Sequence, residues 1–324
     1  MRTIKFHSWL SEPISRLIGL RRFGGTDYSS QARLLSYFDG FLVEQYPEEK
    51  IITRHLIDHY LQTISHLCPR GQYNRFCVVR QLCRYIALTE SRCYVPESIR
   101  HITSTKMFRP YIFSNQEIKA LLAAAAGLSP QESLRPHTYQ TLLGLLYTTG
   151  IRIGEAFALT LKDFQDEVGL LYIAEGKFRK ARWIPLHPSS SRMLKLYVDH
   201  RLQNSPNTQD SSLFINLPGR SLRHCTVYQA FRQLLEKCSI EYNKHTGPRI
   251  HDMRHTFAVH RLLAWYKDKQ DVNAMLPALA TYMGHVSISS TQVYLHPTAD
   301  LLEQVNNRFH NHFLRTVKVK GGKL

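Results

Sequence analysis

Helical periodicity stops between Cys93 and Ser114, and no other feature of this 324-residue chain constrains its fold as much. Upstream of the break, apolar residues recur at helical spacing through Tyr28 to Tyr46, Ile51 to Leu67 and Tyr73 to Thr89, and Pro47 and Pro69 close the first two runs. That pattern predicts amphipathic helices sharing one core. The leader before Tyr28 is mixed and gives no clear period. The break itself holds Pro96, Lys106 and Pro110, a composition suited to a linker. Ser114 and Glu117 then form a Ser-x-x-Glu capping box at the start of the next helix. We therefore expect a helical domain over residues 1–105, a linker over 106–113 and a second domain over 114–324.

The second domain mixes periods. Thr138 to Thr149 and Gly154 to Leu161 read as helices, and Leu170 to Ile173 and Arg182 to Leu186 as strands around the basic turn Gly176-Lys-Phe-Arg-Lys180. Further helices are expected at Ser190–Leu202, Val227–Lys237, Arg254–Tyr266, Ala274–Met283 and Leu301–Phe313, before a short basic tail. The expected fold class is mainly α with a small antiparallel β-sheet.

Charge narrows the partner. Forty-two Lys and Arg face 25 Asp and Glu, a formal net charge of +17 that attracts a polyanion. Arg75, Arg80 and Arg84 give the third helix a basic face that either is solvated or tracks a phosphate backbone. No apolar run approaches the roughly 18 residues of a membrane span, and Met1 to Leu20 lacks a clean signal-peptide core. The six cysteines form no Cys-x-x-Cys pair, which favours reduced thiols over a disulfide or zinc framework. A soluble, cytoplasmic protein is expected.

Three segments carry candidate chemistry. Gly150 breaks an apolar helix, leaving Arg152 near the start of the next, where exposed N–H groups favour an anion. Glu155, one turn on, either orients that guanidinium or forms an ordinary helix-surface pair with it. His251 and Arg254 are three apart and share a face at a helix start, with His255 one position further round. Gly284 reads as a helix C-cap with His285 just beyond it, and Tyr294 follows nine residues later. Arginines, histidines and a tyrosine in a basic chain suggest a tyrosine nucleophile aimed at a nucleic-acid phosphate. Tyr282 is the rival nucleophile, although its place in an apolar helix suits core packing better. There is no Gly-x-x-x-x-Gly-Lys-Ser/Thr loop and no compact Asp/Glu cluster of the two-metal kind, so neither nucleotide cofactor nor metal is expected.

These segments resemble the boxes of the tyrosine recombinases, or phage integrase family. Thr149-Gly-Ile-Arg152-Ile-Gly-Glu155 is similar to the first arginine box, and His251-Asp-Met-Arg254-His255-Thr-Phe-Ala to the histidine–arginine box. Met283-Gly-His285 through Tyr294 is similar to the terminal box, and Gly176-Lys177 with Arg182-Trp-Ile-Pro-Leu186 to the hairpin bearing the family's catalytic lysine. The resemblance covers residues 110 to 300. It implies that Tyr294 attacks a DNA phosphodiester to give a 3′-phosphotyrosyl bond while Arg152 and Arg254 hold the nonbridging oxygens. His285 then adds a hydrogen bond, His251 accepts the tyrosine proton, and Lys177, or else Lys180, protonates the leaving 5′-oxygen. Glu155 and His255 take supporting roles, and Arg179 and Lys180 become DNA contacts.

The resemblance further implies a helical core-binding domain that clamps double-stranded DNA together with a mixed α/β catalytic domain. Four protomers would assemble on two sites and exchange strands through a Holliday junction, with accessory DNA-bending or partner recombinase proteins as further partners, in a bacterial cytoplasm and on the nucleoid when bound. Leu301, Leu302, Val305 and Phe309 suit a C-terminal helix that docks on a neighbouring protomer or packs back on its own domain. The long interval from Arg254 to His285, with its extra length around Tyr266 to Asn273, is most like recombinases of transposons and other mobile elements. A type IB topoisomerase, a telomere resolvase, or a non-catalytic architectural DNA-binding protein are the alternatives.

Overall fold

The computed structural model describes residues 4–98, 110–174, 181–204, 210–243, 247–285 and 291. The chain divides into two compact units, Met1–Met107 and Phe108–Leu324. The fold is mainly α with one small antiparallel sheet.

The first unit is helical: α1 (Ser11–Phe23), α2 (Ser29–Gln45), α3 (Arg54–Thr63) and α4 (Pro69–Ile86). The mixed leader therefore contains a helix that periodicity alone did not reveal. Ile14, Leu17 and Ile18 give α1 a narrow buried stripe, while Arg16, Arg21 and Arg22 dilute the signal around it. Pro13 is tolerated because it lies in the first turn, where its missing N–H has no helical partner. Leu35, Phe38 and Leu42 of α2 meet Leu56 and Tyr60 of α3 and Leu82 of α4 in one core. Asp39, 3% exposed, accepts hydrogen bonds from the His7 and Ser8 amides and the Ser8 hydroxyl, fastening the segment before α1 onto α2.

The three arginines expected to share one face of α4 do not. At about 100° per residue, Arg75 lies on the opposite side from Arg84. Its guanidinium sits 4.5 Å from the centroid of the Tyr37 ring, a cation–π contact on the neighbouring helix. Arg80 donates to the Pro96 carbonyl at 2.7 Å, and Arg84 is exposed.

The second unit contains α5 (Asn115–Ala126), α6 (Leu134–Thr149), α7 (Ile153–Ala158), β1 (Phe164–Gln165), β2 (Leu170–Ile173), β3 (Arg182–Pro185), α8 (Pro188–Asn204), α9 (His224–Lys237), α10 (Asp252–Lys267) and α11 (Val272–Met283). The Ser114 capping box opens α5 as expected. The strands form an antiparallel sheet in the order β1-β2-β3, with Ile173 opposite Arg182 and Leu171 opposite Ile184. The two-residue β1 is too short to leave a periodic trace in the sequence.

Helix α6 is the centre of this unit, packed by α5, α8 and α10. It buries residues around its whole circumference, from Leu134 and Thr138 to Leu146 and Thr149, as a helix surrounded by others must. Its end is set by Gly150, whose φ of +62° is left-handed. A Cβ added there would lie 2.3 Å from the Phe257 ring of α10. Glycine is thus required twice, by conformation and by the approach of the helix that carries Arg254.

Gly150→Ala is expected to destabilise the protein by roughly 2–5 kcal/mol, combining left-handed strain with overpacking. Gly154→Ala, where nothing lies within 4 Å of the new methyl, should leave stability unchanged or raised. Urea unfolding of the two variants checks the contrast, and equal midpoints would remove the assigned role of Gly150.

Candidate active site

Helix α11 ends at Gly284, whose φ of +68° closes the helix in a left-handed cap. The last carbonyls of any helix lack partners within it and carry partial negative charge. Here three consecutive carbonyls each accept from a different arginine. Arg182 Nε donates to Tyr282 O at 2.9 Å, Arg254 Nη2 to Met283 O at 2.7 Å, and Arg152 Nη2 to Gly284 O at 3.2 Å. The second nitrogen of Arg254, Nη1, donates to Gly150 O at 2.6 Å. The segments read as separate boxes in the sequence are therefore interlocked by main-chain acceptors.

Arg152 is the N-cap residue of α7, and Glu155 closes its first turn. The Glu155 carboxylate is only 3% exposed and serves two guanidiniums. It accepts from Arg152 Nη1 at 2.8 Å and from the Arg152 amide at 2.9 Å. Arg182 donates to it from Nη1 at 3.2 Å and Nη2 at 2.9 Å. Burial alone would raise the Glu155 pKa, but hydrogen bonds from Arg182 and the Arg152 amide outweigh it, and the net shift is downward. The pair is thus no ordinary helix-surface bridge.

Arg182 is the site residue that sequence reasoning missed. A signal was present. In the strand Arg182-Trp-Ile-Pro, Arg182 and Ile184 fall on the same face, and Ile184 is fully buried while Trp183 is exposed. An arginine on the inward face of a strand needs an interior partner.

The histidines join the same cluster. His251 caps α10, with its ring centroid 5.0 Å from that of His255 in an edge-on contact. His285 Nδ1 lies 2.7 Å from the hydroxyl of the fully buried Thr291, which fixes the ring. Desolvation first pushes the pKa of His251, His255 and His285 down to about 4, reinforced by nearby arginines and, for His251, by the His255 ring before them. His251 is itself exposed, so the burial-driven shift belongs chiefly to the half-buried His255 and His285. Arg254 depresses all three, and Arg152 and Arg182 add to the effect on His285. Asp252 is buried against Arg249 and Gly247, and its negative charge only partly opposes the downward shift of His251. What remains is a pocket of surplus positive charge with neutral imidazoles beside it, complementary to an anion.

Tyr282 is not presented to such an anion. It stacks on Phe257 with ring centroids 5.8 Å apart, its hydroxyl donates to Pro185 O at 3.3 Å, and burial pushes its pKa up to about 12. Lys177, Arg179, Lys180, Tyr294 and the expected helix Leu301–Phe313 lie outside the described residues. Among the described residues, no group of three or more His, Cys, Asp or Glu is placed to hold a metal ion, and no helix is long and apolar enough to cross a membrane.

Residues 112–300 match the phage integrase family. The chain belongs to that family. An integrase/recombinase of Sinorhizobium fredii, y4rB, is 33% identical over 314 residues, covering 94% of this chain and 98% of that protein. Tyrosine recombinase XerC of Oceanobacillus iheyensis is 31% identical over 174 residues, 53% of each chain. Among solved structures, the Tn1549 transposon integrase in complex with transposon right-end DNA superimposes with a TM-score of 0.66 at 17% identity, over 94% of this chain and 100% of that one. The XerH site-specific recombinase bound to difH substrate gives 0.60 at 23%, over 85% and 77%. At these identities the two structures establish the shared fold.

The histidine shifts have a defined pH consequence. An unfolded histidine titrates near 6.5, so between about pH 6.5 and the folded value of about 4 the unfolded chain binds more protons. Stability is therefore full above that window and falls as the pH drops through it. Urea midpoints should decline from pH 7 to pH 5, and less steeply in His285→Gln. A flat profile in the parent protein would show the imidazoles to be protonated without cost.

Proposed function

We propose that this family member is a site-specific DNA recombinase that cuts and rejoins DNA through a covalent tyrosine intermediate, with Arg152, Lys177, His251, Arg254, His285 and Tyr294 as its catalytic residues. The observation that carries the assignment is the attachment of Arg152 and Arg254 to adjacent carbonyls beside His285. Two guanidiniums converging from different elements can contact two nonbridging oxygens of one phosphate, and preorganised donors of this kind stabilise charge that develops in a transition state.

In the proposed step the Tyr294 hydroxyl oxygen attacks phosphorus. A Tyr–O–P bond forms on the 3′ side, the bond from phosphorus to the 5′-oxygen breaks, and the phenolic proton passes to His251. Lys177 gives a proton to the departing 5′-oxygen. The phosphodiester that enters brings negative charge, which offsets the cations depressing His251 and raises its basicity when the proton must be accepted. The covalent link conserves the energy of the broken bond, so attack by a 5′-hydroxyl reverses the step without a nucleotide.

The larger unit then holds the scissile phosphate, and the helical unit grips the duplex, with Arg84 as one of the exposed cations of α4. The family's assembly of four protomers on two sites and exchange through a Holliday junction belong to the same proposal, as do accessory partners and a bacterial cytoplasmic setting. The structures of XerH bound to difH substrate and of the Tn1549 integrase with transposon right-end DNA support the partner class.

A duplex nicked beside the cleavage position traps the covalent adduct and tests the assignment. Tyr294→Phe is expected to yield no adduct, and an adduct formed by that variant would falsify Tyr294 as nucleophile. Arg152→Ala and Arg254→Ala should slow adduct formation by roughly 10²- to 10³-fold or more while DNA binding largely persists. Parallel losses of binding and rate would instead make both arginines ground-state contacts.

A further inference from the structure

We propose that Arg182 is a positioning residue of the phosphate site: it takes up the charge of Glu155 and so leaves the Arg152 guanidinium available to the substrate. The inference rests on the strand-transfer reading above, with a DNA phosphodiester as the anion.

The sequence creates a conflict inside the arginine box. Glu155 is three residues after Arg152, and the helix start brings their side chains together. A carboxylate that is 3% exposed and paired with Arg152 alone would hold that guanidinium as an internal ion pair. Its charge would then be cancelled where the phosphate needs it. Arg182 changes the partition. It approaches from β3 with a bidentate fork on both oxygens of Glu155, and its remaining Nε is held by Tyr282 O. Every nitrogen of Arg182 is thus used by the protein, and the side chain is 9% exposed. Arg152 keeps a side chain 22% exposed, with the carboxylate it touches already shared.

The fit around Arg182 is close. A Cβ added at Gly284 would lie 2.7 Å from Arg182 Nη1 and 2.8 Å from its central carbon. The guanidinium therefore lies flat against the helix end that also receives Arg152 and Arg254. Lysine cannot reproduce this arrangement, because an ammonium is a point donor and not a planar fork.

The test is a charge-compensation cycle with Arg182→Met, Glu155→Gln and the double variant. Adduct formation on the nicked duplex is followed in single turnover, at saturating protein and below the lowest Tm of the set. Arg182→Met is expected to slow cleavage by roughly 10²-fold at unchanged DNA affinity. Removing the carboxylate as well should recover about tenfold or more of that loss, since Arg152 is then released. Arg182→Lys should stay slow. Should Arg182→Met fail to fold, Arg182→Gln, which keeps a donor for the Tyr282 carbonyl, is read in the same way. An Arg182→Met rate equal to the parent's, or a double variant no faster than the single one, overturns the proposal.

A second measurement separates this inference from the recombinase reading. Inorganic phosphate is titrated against the parent and the variants, with the His255 and His285 ring resonances as reporters. Weaker phosphate binding in Arg182→Met, restored in the double variant, supports the positioning role even if the parent protein forms no adduct. Equal phosphate affinity in parent and Arg182→Met overturns it, whatever the cleavage assay gives.

Discussion

The last turn of α11 is the constraint on which the rest of the site depends. Helix ends leave carbonyls that water, a capping residue or a cation must satisfy. In this protein the carbonyls of Tyr282, Met283 and Gly284 take Arg182, Arg254 and Arg152 in turn. One arginine comes from a strand, one from the first turn of α10 and one from the cap of α7. Their charge is concentrated because their acceptors are successive residues, and the field of the helix end makes that concentration tolerable. The same arginines add to the burial that lowers the pKa of the neighbouring histidines.

Cores on both sides of this turn hold it in place. Phe257 lies in the contact between α10 and the glycine that ends α6, and it also stacks on Tyr282. Thr256, on the same helix, receives the Phe113 amide and donates to the Asp252 carbonyl, which ties the segment before α5 to the start of α10. The side chains next to Arg254 are therefore structural, and they fix the geometry of the arginine through the backbone that carries it.

Much of this was legible in the sequence because the decisive residues have local causes. Gly150 and Gly284 announce left-handed caps, Ser114 and Glu117 announce a capping box, and alternation marks β2 and β3. Arg152, His251, Arg254 and His285 were recognisable by residue type and spacing, and the structure gathers them around one helix end. What escaped depends on partners far away in the chain. Arg182 looked like a strand charge until Glu155, 27 residues earlier, and Tyr282, 100 residues later, were placed against it. Arg75 reads from sequence as either a solvated charge or a phosphate contact, and neither reading foresees the Tyr37 ring beneath it. Helix α1 was hidden because its buried stripe is narrow and its other faces are rich in arginine.

The use of main-chain oxygens as the arginines' anchors has a consequence for how this site can change. A carbonyl is present whatever side chain stands at positions 282 to 284, so no single side-chain replacement there can delete an anchor outright. A side chain added at 284 would press on Arg182 directly, whereas a shift of the backbone would act on all three arginines together. The end of α11 thus works as one rigid coupling for the three guanidiniums.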